Sequence, residues 1–430
     1  MCDATSISGA FFLSRLLLTE GQRSLPGSQP LGALLCILAI FFYIFDLYCP
    51  FKRFWGARTS IDVFLALVLG MLSYAFFCFL TRHFFLPRPL FLFFIAQVFT
   101  YALGVRFLYD LIFQSRFLDK KVAILGTGDM ARRIHELIET TPHAGMDVVG
   151  YVAGGETNGK RKTKKPILGN VEQILSVLNW HNINLLILAF DKDNRESELE
   201  IMRLLVNQKV QIVSGVHLFE KMSGSIPYEV INPRFMLSLA SEVRARHYLH
   251  LKRLLDIIFS VSLLVLTLPV SFLTGVLLSF QGSEKIFFVQ KRVGKNGKMF
   301  TMYKFRSMIA AKGSDPKVTY LGRILRKFRI DEIPQFINVL KGDMSLIGPR
   351  PETTYFADKC RRHIPYYNVI FTVQPGISGW AQVKFSHVSE FKDYPKKFCY
   401  NVYYLKNISL SLDLQIFLKT IRSVFLGKGK

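Results

Sequence analysis

Apolar residues dominate three stretches in the first quarter of the chain, Leu31–Cys49, Ile61–Leu80 and Leu90–Phe113, each long enough to cross a bilayer as a helix. Their ionisable residues, Asp46, Arg106 and Asp110, fall towards the ends, where polar groups can reach the interface. A shorter run, Ile7–Leu18, contains Arg15 and is followed by no small-residue cleavage pattern, so no cleavable signal is expected; a fourth crossing and a surface-lying helix both suit it. Lys52, Arg53 and Arg58 in one connection, and Arg82 and Arg88 in the next, leave the bundle only weakly oriented by loop charge.

At Lys120 the pattern shortens. Val122 to Ala131, with a helical pattern running on to Ile138, reads as strand, glycine turn and helix; Val148–Tyr151 and Leu185–Leu188 read as further buried parallel strands. A doubly wound α/β domain is expected from Lys121 to about Phe219. Its Gly126-x-Gly128-x-x-Ala131 turn is a weak nucleotide signal, because the same glycines serve any tight strand-to-helix turn. The domain has no Tyr-x-x-x-Lys pair, and its nearest candidate for a ribose-binding acid is Glu156; a docking or regulatory role is expected. Ser223 to Arg246, which includes Pro227 and Pro233, reads as an extended connector.

The next long apolar stretch, Leu254–Gln281, carries no charge from Ile257 to Phe280 and has Pro269 at its centre. Proline removes a backbone donor and kinks or breaks a helix. Both flanks are basic, with Arg244, Arg246, Lys252 and Arg253 before and Lys285, Lys291, Arg292, Lys295 and Lys298 after. Positive flanks belong on the cytoplasmic side, so the segment is expected to enter and leave by one leaflet around Pro269. A straight span that tolerates the proline is the alternative.

Beyond the Gly294–Gly297 turn, an extended Met302–Met308 would put Lys304 and Arg306 on one face about 7 Å apart, a spacing that suits a diphosphate. The plain alternative is a solvated basic edge strand. Leu321, Ile324, Leu325 and Phe328 lie at helical spacing among Arg323, Arg326, Lys327 and Arg329, a basic amphipathic helix suited to anionic lipid. Asp331 and Glu332 follow at once. Pro334 suits the first turn of a helix ending at Lys341-Gly342, which makes Asp331 the expected N-cap. Helix-end N–H groups and Arg329 would favour the ionised Asp331 carboxylate, leaving Glu332 free for a divalent cation. Pro349-Arg350-Pro351 then presents an arginine of restricted freedom, able to grip a phosphate.

Composition narrows the partners. Lys and Arg number 55 against 31 acids, a net charge of +24, in a chain that is 50% hydrophobic. The cations cluster beside membrane and amphipathic segments, so membrane lipid or a phosphorylated substrate is expected, and no nucleic acid. The six cysteines are scattered without Cys-x-x-Cys spacing, which argues against a disulfide framework or a zinc site.

Several ordered motifs carry a specific resemblance: Gln290-Lys-Arg-Val-Gly294, Lys304-Phe-Arg-Ser-Met308, Leu325-Arg326, Asp331-Glu-Ile-Pro-Gln335, the run from Asn338 to Pro351, and Gln374-Pro-Gly-Ile-Ser-Gly-Trp-Ala-Gln382. From about Lys252 onward the chain resembles the bacterial sugar transferases that act as polyprenyl-phosphate hexose-1-phosphate transferases. The whole is similar to their long form, which initiates exopolysaccharide or O-antigen assembly.

The resemblance implies that Asp331 attacks the β-phosphate of a UDP-sugar, releases UMP and forms an aspartyl phosphosugar that undecaprenyl phosphate then takes up. It assigns Mg²⁺ to Glu332, substrate phosphate to Lys304, Arg306 and Arg350, and a re-entrant helix break to Pro269. The implied location is the bacterial inner (cytoplasmic) membrane, multi-pass, with the catalytic domain facing the cytoplasm.

The expected fold is a mixed membrane protein. It comprises a transmembrane helix bundle (1–117), a Rossmann-like α/β domain (118–220), a linker (221–250) and an α-rich catalytic domain (251–430) with a re-entrant helix over 252–281; a homo-oligomer is left open. Lys384-Phe-Ser-His387 and Asn401 depart from the family pattern, where Asn-Gly-Arg and Asp are common, so sugar specificity does not transfer. The competing readings are a glycosyltransferase that moves the sugar alone and releases UDP, and a non-catalytic membrane nucleotide sensor.

Overall fold

The computed structural model describes residues 28–45, 47–48, 56–81, 88–114, 119–141, 145–154, 164–190, 201, 203, 210–245, 248–280, 285–311, 314–385 and 390–425. The chain divides into two compact units, Met1–Phe190 with Asn194–Gly215, and Asp191–Asp193 with Val216–Lys430. Ile7–Leu18 and Glu156 lie outside the described residues.

In the first unit, helices α1 (Ser28–Ile44), α2 (Ala57–Thr81) and α3 (Arg88–Gln114) fall on the three apolar stretches. Leu34, Leu38 and Phe42 recur every fourth residue on α1 and are buried, as are Val63, Ala66, Leu67 and Met71 on α2, so the helices pack along apolar stripes. Arg106 and Asp110 do not reach outward as expected but are buried. The Arg106 guanidinium lies 5.5 Å from the centre of the Phe42 ring; polar groups in an apolar bundle turn inward to find partners.

The α/β part has a five-stranded parallel sheet in the order β3-β2-β1-β4-β5, from β1 (Lys120–Leu125), β2 (Met146–Ala153), β3 (Ile167–Asn170), β4 (Leu185–Leu188) and β5 (Gln211–Ser214). Helices α4 (Asp129–Thr140) and α5 (Ile174–Trp180) lie between strands, and α6 (Gly215–Ser223) follows β5. The central strands are buried along Val122–Leu125 and Leu185–Leu188, the signature of a sheet covered on both faces. Edge strands β3 and β5 escape the sequence reading because they are short and only half apolar.

The second unit opens with a correction. Ser223–Arg246 is not an extended connector: a 3-10 turn at Tyr228–Val230 leads into α7 (Pro233–Ala245). Ile226, Met236, Leu239 and Val243 join a core with Tyr367, Trp380, Phe398 and Val402. The Trp380 indole also donates to the Gly224 carbonyl at 2.6 Å. The prolines that suggested extension mark the entry to α7, where a missing N–H costs nothing.

Helix α8 (Tyr248–Phe280) then runs for 33 residues without interruption and includes Pro269, so the proline does not end the helix. With Thr59–Thr81, it is one of two helices among the described residues long and apolar enough to cross a membrane. Its first third is docked: Lys252 pairs with Asp413 at 2.6 Å, Arg253 donates to the Val339 carbonyl at 2.6 Å, and Asp256 accepts the Leu346 N–H at 3.1 Å. Its middle, with Val265, Leu266, Leu268 and Phe272, is bare, and Leu278 near the far end is buried again.

Three small strand pairs and short helices complete this unit. β6 (Phe287–Val293) and β7 (Met299–Phe305) form an antiparallel hairpin, and β8 (Met308–Ala311) pairs antiparallel with β9 (Ser314–Val318). Then come α9 (Tyr320–Lys327), α10 (Gln335–Lys341), β10 (Ser345–Ile347) and α11 (Thr354–His363). β11 (Gly376–Ser378) runs parallel to β10 and is followed by α12 (Trp380–Lys384), α13 (Tyr394–Lys406) and α14 (Leu410–Phe425).

Candidate active site

The acidic pair sits in its own 3-10 turn, Ile330–Glu332, between α9 and α10. Thr319 caps the start of α9 by accepting the Gly322 N–H at 2.8 Å. Past the end of α9, Arg329 adopts a left-handed conformation, φ 55°, that turns the chain into the acidic turn. Ile330 and Ile333, on either side of the pair, pack on Leu278, Phe305 and Leu325, which fixes the two carboxylates between apolar anchors. Asp331 is therefore not the N-cap expected of it. The cap position of α10 falls on Pro334, without a side-chain bond, because the chain completes a separate turn before the helix begins. At the other end Gly342, φ 89°, closes α10 in the left-handed geometry that glycine accepts freely.

Asp331 and Glu332 are 8% and 9% exposed. Three cations converge on Glu332: Lys304 from β7 at 3.0 Å and Arg350, beyond β10, at 3.5 Å come from distant segments, and Arg329, at 3.4 Å, from the turn itself. Burial pushes the Glu332 carboxyl up, but Lys304, Arg350 and Arg329 outweigh it and hold the pKa at about 2. Asp331 goes the other way. Burial, then the Glu332 charge, raise it to about 6 against the pull of Lys304, Arg326 and Arg350. The expectation that local groups would favour the ionised form is thus reversed in direction; even so, a carboxyl with a pKa near 6 is mostly ionised at neutral pH.

Of the residues predicted from sequence, the structure brings together Asp331, Glu332, Lys304 and Arg350. Arg306 lies just past the end of β7; its backbone N–H donates to the Ile286 carbonyl at 2.9 Å, and its side chain forms no ion pair among the described residues. Glu332, expected to be free for a divalent cation, is already matched by cations. Among the described residues no three His, Cys, Asp or Glu side chains converge as a metal cage. One carboxylate shared with substrate phosphates is nevertheless a donor set that Mg²⁺ accepts, so Glu332 fits that ion as a partial ligand.

Sequence reading missed two contributors. Arg326 was assigned to a lipid-facing stripe, yet it lies near enough to lower the Asp331 pKa, while Arg329, expected beside Asp331, pairs with Glu332. Asn338, fully buried on α10, donates to the Thr301 carbonyl at 2.7 Å and accepts the Tyr303 N–H at 3.1 Å. It occupies the edge of β7 where another strand would lie, and so ties the segment carrying Lys304 to the helix that follows the acidic turn. Its own carbonyl accepts the Asp343 N–H at 3.1 Å, in the bend leading towards Arg350. The one available signal was a buried polar residue within the apolar stripe of a short helix.

The glycine turn of the first unit behaves differently. A Cβ at Gly126, φ 120°, would stand 2.3 Å from the Ala189 carbonyl oxygen, so strand packing alone demands glycine there. Asp129 opens α4 and pairs with Arg132 at 3.4 Å, placing a carboxylate where a bound phosphate would need positive potential.

Comparison with known proteins bears on both units. Residues 247–427 match the bacterial sugar transferase family, and residues 45–214 match a family described as CoA-binding domain. The turn at Gly126–Asp129 does not fit a phosphate of such a cofactor, for the reasons just given.

Among similar proteins, a UDP-N-acetylgalactosamine-undecaprenyl-phosphate N-acetylgalactosaminephosphotransferase of Aeromonas hydrophila is 45% identical over 219 residues, covering 49% of this chain and 51% of that protein. An uncharacterized sugar transferase of Bacillus subtilis is 38% identical, over 42% of this chain and 89% of its own length. An undecaprenyl-phosphate galactose phosphotransferase of Salmonella typhimurium is 28% identical, over 72% of this chain and 69% of its own. The match thus spans about half the length of the first of these relatives.

Proposed function

The chain belongs to the bacterial sugar transferase family, and from that premise we propose that it is an undecaprenyl-phosphate sugar phosphotransferase, moving hexose-1-phosphate from a UDP-sugar to undecaprenyl phosphate with release of UMP. The observation that carries this reading is a buried carboxylate, Asp331, beside a second one that gathers Lys304, Arg329 and Arg350. A diphosphate entering the site would draw on those same cations, and Arg350, whose side chain is 35% exposed, is open on its outer side.

In the first step an Asp331 carboxylate oxygen bonds to the β-phosphorus. The bond from that phosphorus to the bridging oxygen breaks, and UMP departs with that oxygen and its electron pair. In the second, a phosphate oxygen of undecaprenyl phosphate bonds to the same phosphorus, the acyl phosphate bond breaks and the carboxylate returns. Two in-line displacements replace one difficult transfer. A pKa near 6 leaves Asp331 ionised yet basic enough to attack. Glu332 would hold Mg²⁺, which when bound screens the charge of the diphosphate from the attacking carboxylate.

We place this chemistry at the cytoplasmic face of a bacterial inner membrane. In support, α8 has a bare apolar middle while Asp256 and Leu278, near its two ends, both pack into the second unit, as a helix returning to one leaflet requires. Pro269 lies within the bare stretch and withholds a backbone donor where a bend is needed. Catalysis is assigned to the second unit, counted from before Ser223 because α7 shares its core, and a regulatory or docking role to the α/β part. Transfer of this kind is the first membrane step in assembling an exopolysaccharide or O-antigen.

The test is product identity. Membranes carrying the chain, given undecaprenyl phosphate and a panel of UDP-sugars, release UMP and place a hexose phosphate on Asp331 detectable by mass spectrometry. Release of UDP instead makes it a transferase of the sugar alone.

A further inference from the structure

Five rings in the second unit form a continuous row, and its middle ring, Tyr394, is tied to the Pro-Arg-Pro loop through Lys397 and Glu352. Tyr355 meets Phe356 edge-on at 5.4 Å, and Phe356 lies parallel to Tyr394 at 5.8 Å with 5° between planes. Tyr394 stacks on Phe391 at 5.4 Å, and His363 closes the row edge-on at 5.2 Å. The link to the site is continuous. Lys397 sits 5.0 Å from the centre of the Tyr394 ring and pairs with Glu352, two residues beyond Arg350. Arg292 holds the same loop by donating to the Pro351 carbonyl at 3.1 Å.

At the outer end Tyr355 and Phe356 are 68% and 38% exposed, although they stand at the start of α11, just after the loop. Aromatic side chains left open in a row beside a phosphate-binding arginine have a chemical use. Base rings stack on them, and every base offers a π-face.

We propose that Tyr355 and Phe356 are the platform on which the uracil ring of the nucleotide sugar stacks while its diphosphate reaches Arg350. The proposal rests on the transferase reading above and adds to it the residues that hold the nucleoside. The continuity of the row with Arg350, through Lys397 and Glu352, favours a ligand of that same site over a separate lipid contact.

The test measures binding of UDP and of inorganic pyrophosphate to the full chain in detergent, for the wild type, Tyr355→Ala and Phe356→Leu. Tyr355 is exposed enough that its loss leaves the fold alone, and Leu keeps most of the volume of Phe356. Each variant should weaken UDP about 10-fold or more and leave pyrophosphate unchanged.

Unchanged UDP binding in both variants overturns the platform alone. So does a parallel loss of both ligands, which marks a structural effect, or loss only of partition onto phosphatidylglycerol vesicles, which marks a membrane contact. Wild-type protein that binds neither probe overturns both the platform and the transferase reading. Wild-type protein that binds UDP through these rings yet releases no UMP from any UDP-sugar supports the platform and overturns the transferase reading.

Discussion

Two turns in this chain stand before helices and suit an anion when read as sequence: the glycine turn ahead of α4 and the acidic turn ahead of α10. The glycine turn is closed by its own packing, with Gly126 against the Ala189 carbonyl and Asp129 at the helix start. The acidic turn, the less obvious place for a phosphate, is ringed by Lys304, Arg326, Arg329 and Arg350. The comparison teaches that a turn's own residues say less about its ligand than the charges that distant segments bring to it.

The sharpest way to break the comparison is Asp331→Asn. It should abolish UMP release by at least about 10³-fold, since the phosphosugar has no other carrier; near-normal turnover of the folded variant would remove Asp331 from the chemistry. Arg350→Ala comes next, with a loss of about 10²-fold in kcat/KM, because one preorganised cation leaves the diphosphate. Lys304 and Arg329 stay in place, so complete loss is not expected.

Asn338→Leu should cost about 2–4 kcal/mol in a denaturation curve, by leaving the Thr301 carbonyl and Tyr303 N–H unmatched. The pH profile sharpens the contrast more gently. Activity should rise with pH through about 6 as Asp331 loses its proton, and Glu332→Gln should carry that limb to lower pH. The sign follows because Glu332 raises the Asp331 pKa and also offsets the cations that lower it. A limb that stays near 6 in the variant would show that another group sets it.

The smallest effects on transfer belong to the other turn. Gly126→Ala should destabilise the first unit by about 1–3 kcal/mol, from the positive φ and the close carbonyl, with turnover per folded molecule unchanged. Weaker undecaprenyl-phosphate transfer by the folded variant would give that turn a part in catalysis.

Much of this was legible in the residues, for identifiable reasons. The apolar stretches fell on helices because length and hydropathy act over a whole segment, and Val122–Leu125 and Leu185–Leu188 fell on central strands because burial on both faces demands unbroken apolar runs. Reading failed where local cues had two meanings. Pro227 and Pro233 suggested extension but introduced a 3-10 turn and α7, and Arg326 was read as lipid-facing although a basic residue on an amphipathic helix suits a buried carboxylate as well as a lipid phosphate.

The sequence by itself determined the periodicities, the family motifs in their order, the acidic pair and its helix partner, because each is written within a few neighbouring residues. Only the tertiary structure decided what Asp331 and Glu332 are chemically. Burial and the approach of Lys304 and Arg350, drawn from segments far apart in the chain, together with the neighbouring Arg329, split two adjacent carboxyls to about 6 and about 2. Charge interactions act through space and strengthen as water is excluded, so they depend on distances that no local pattern of residues contains.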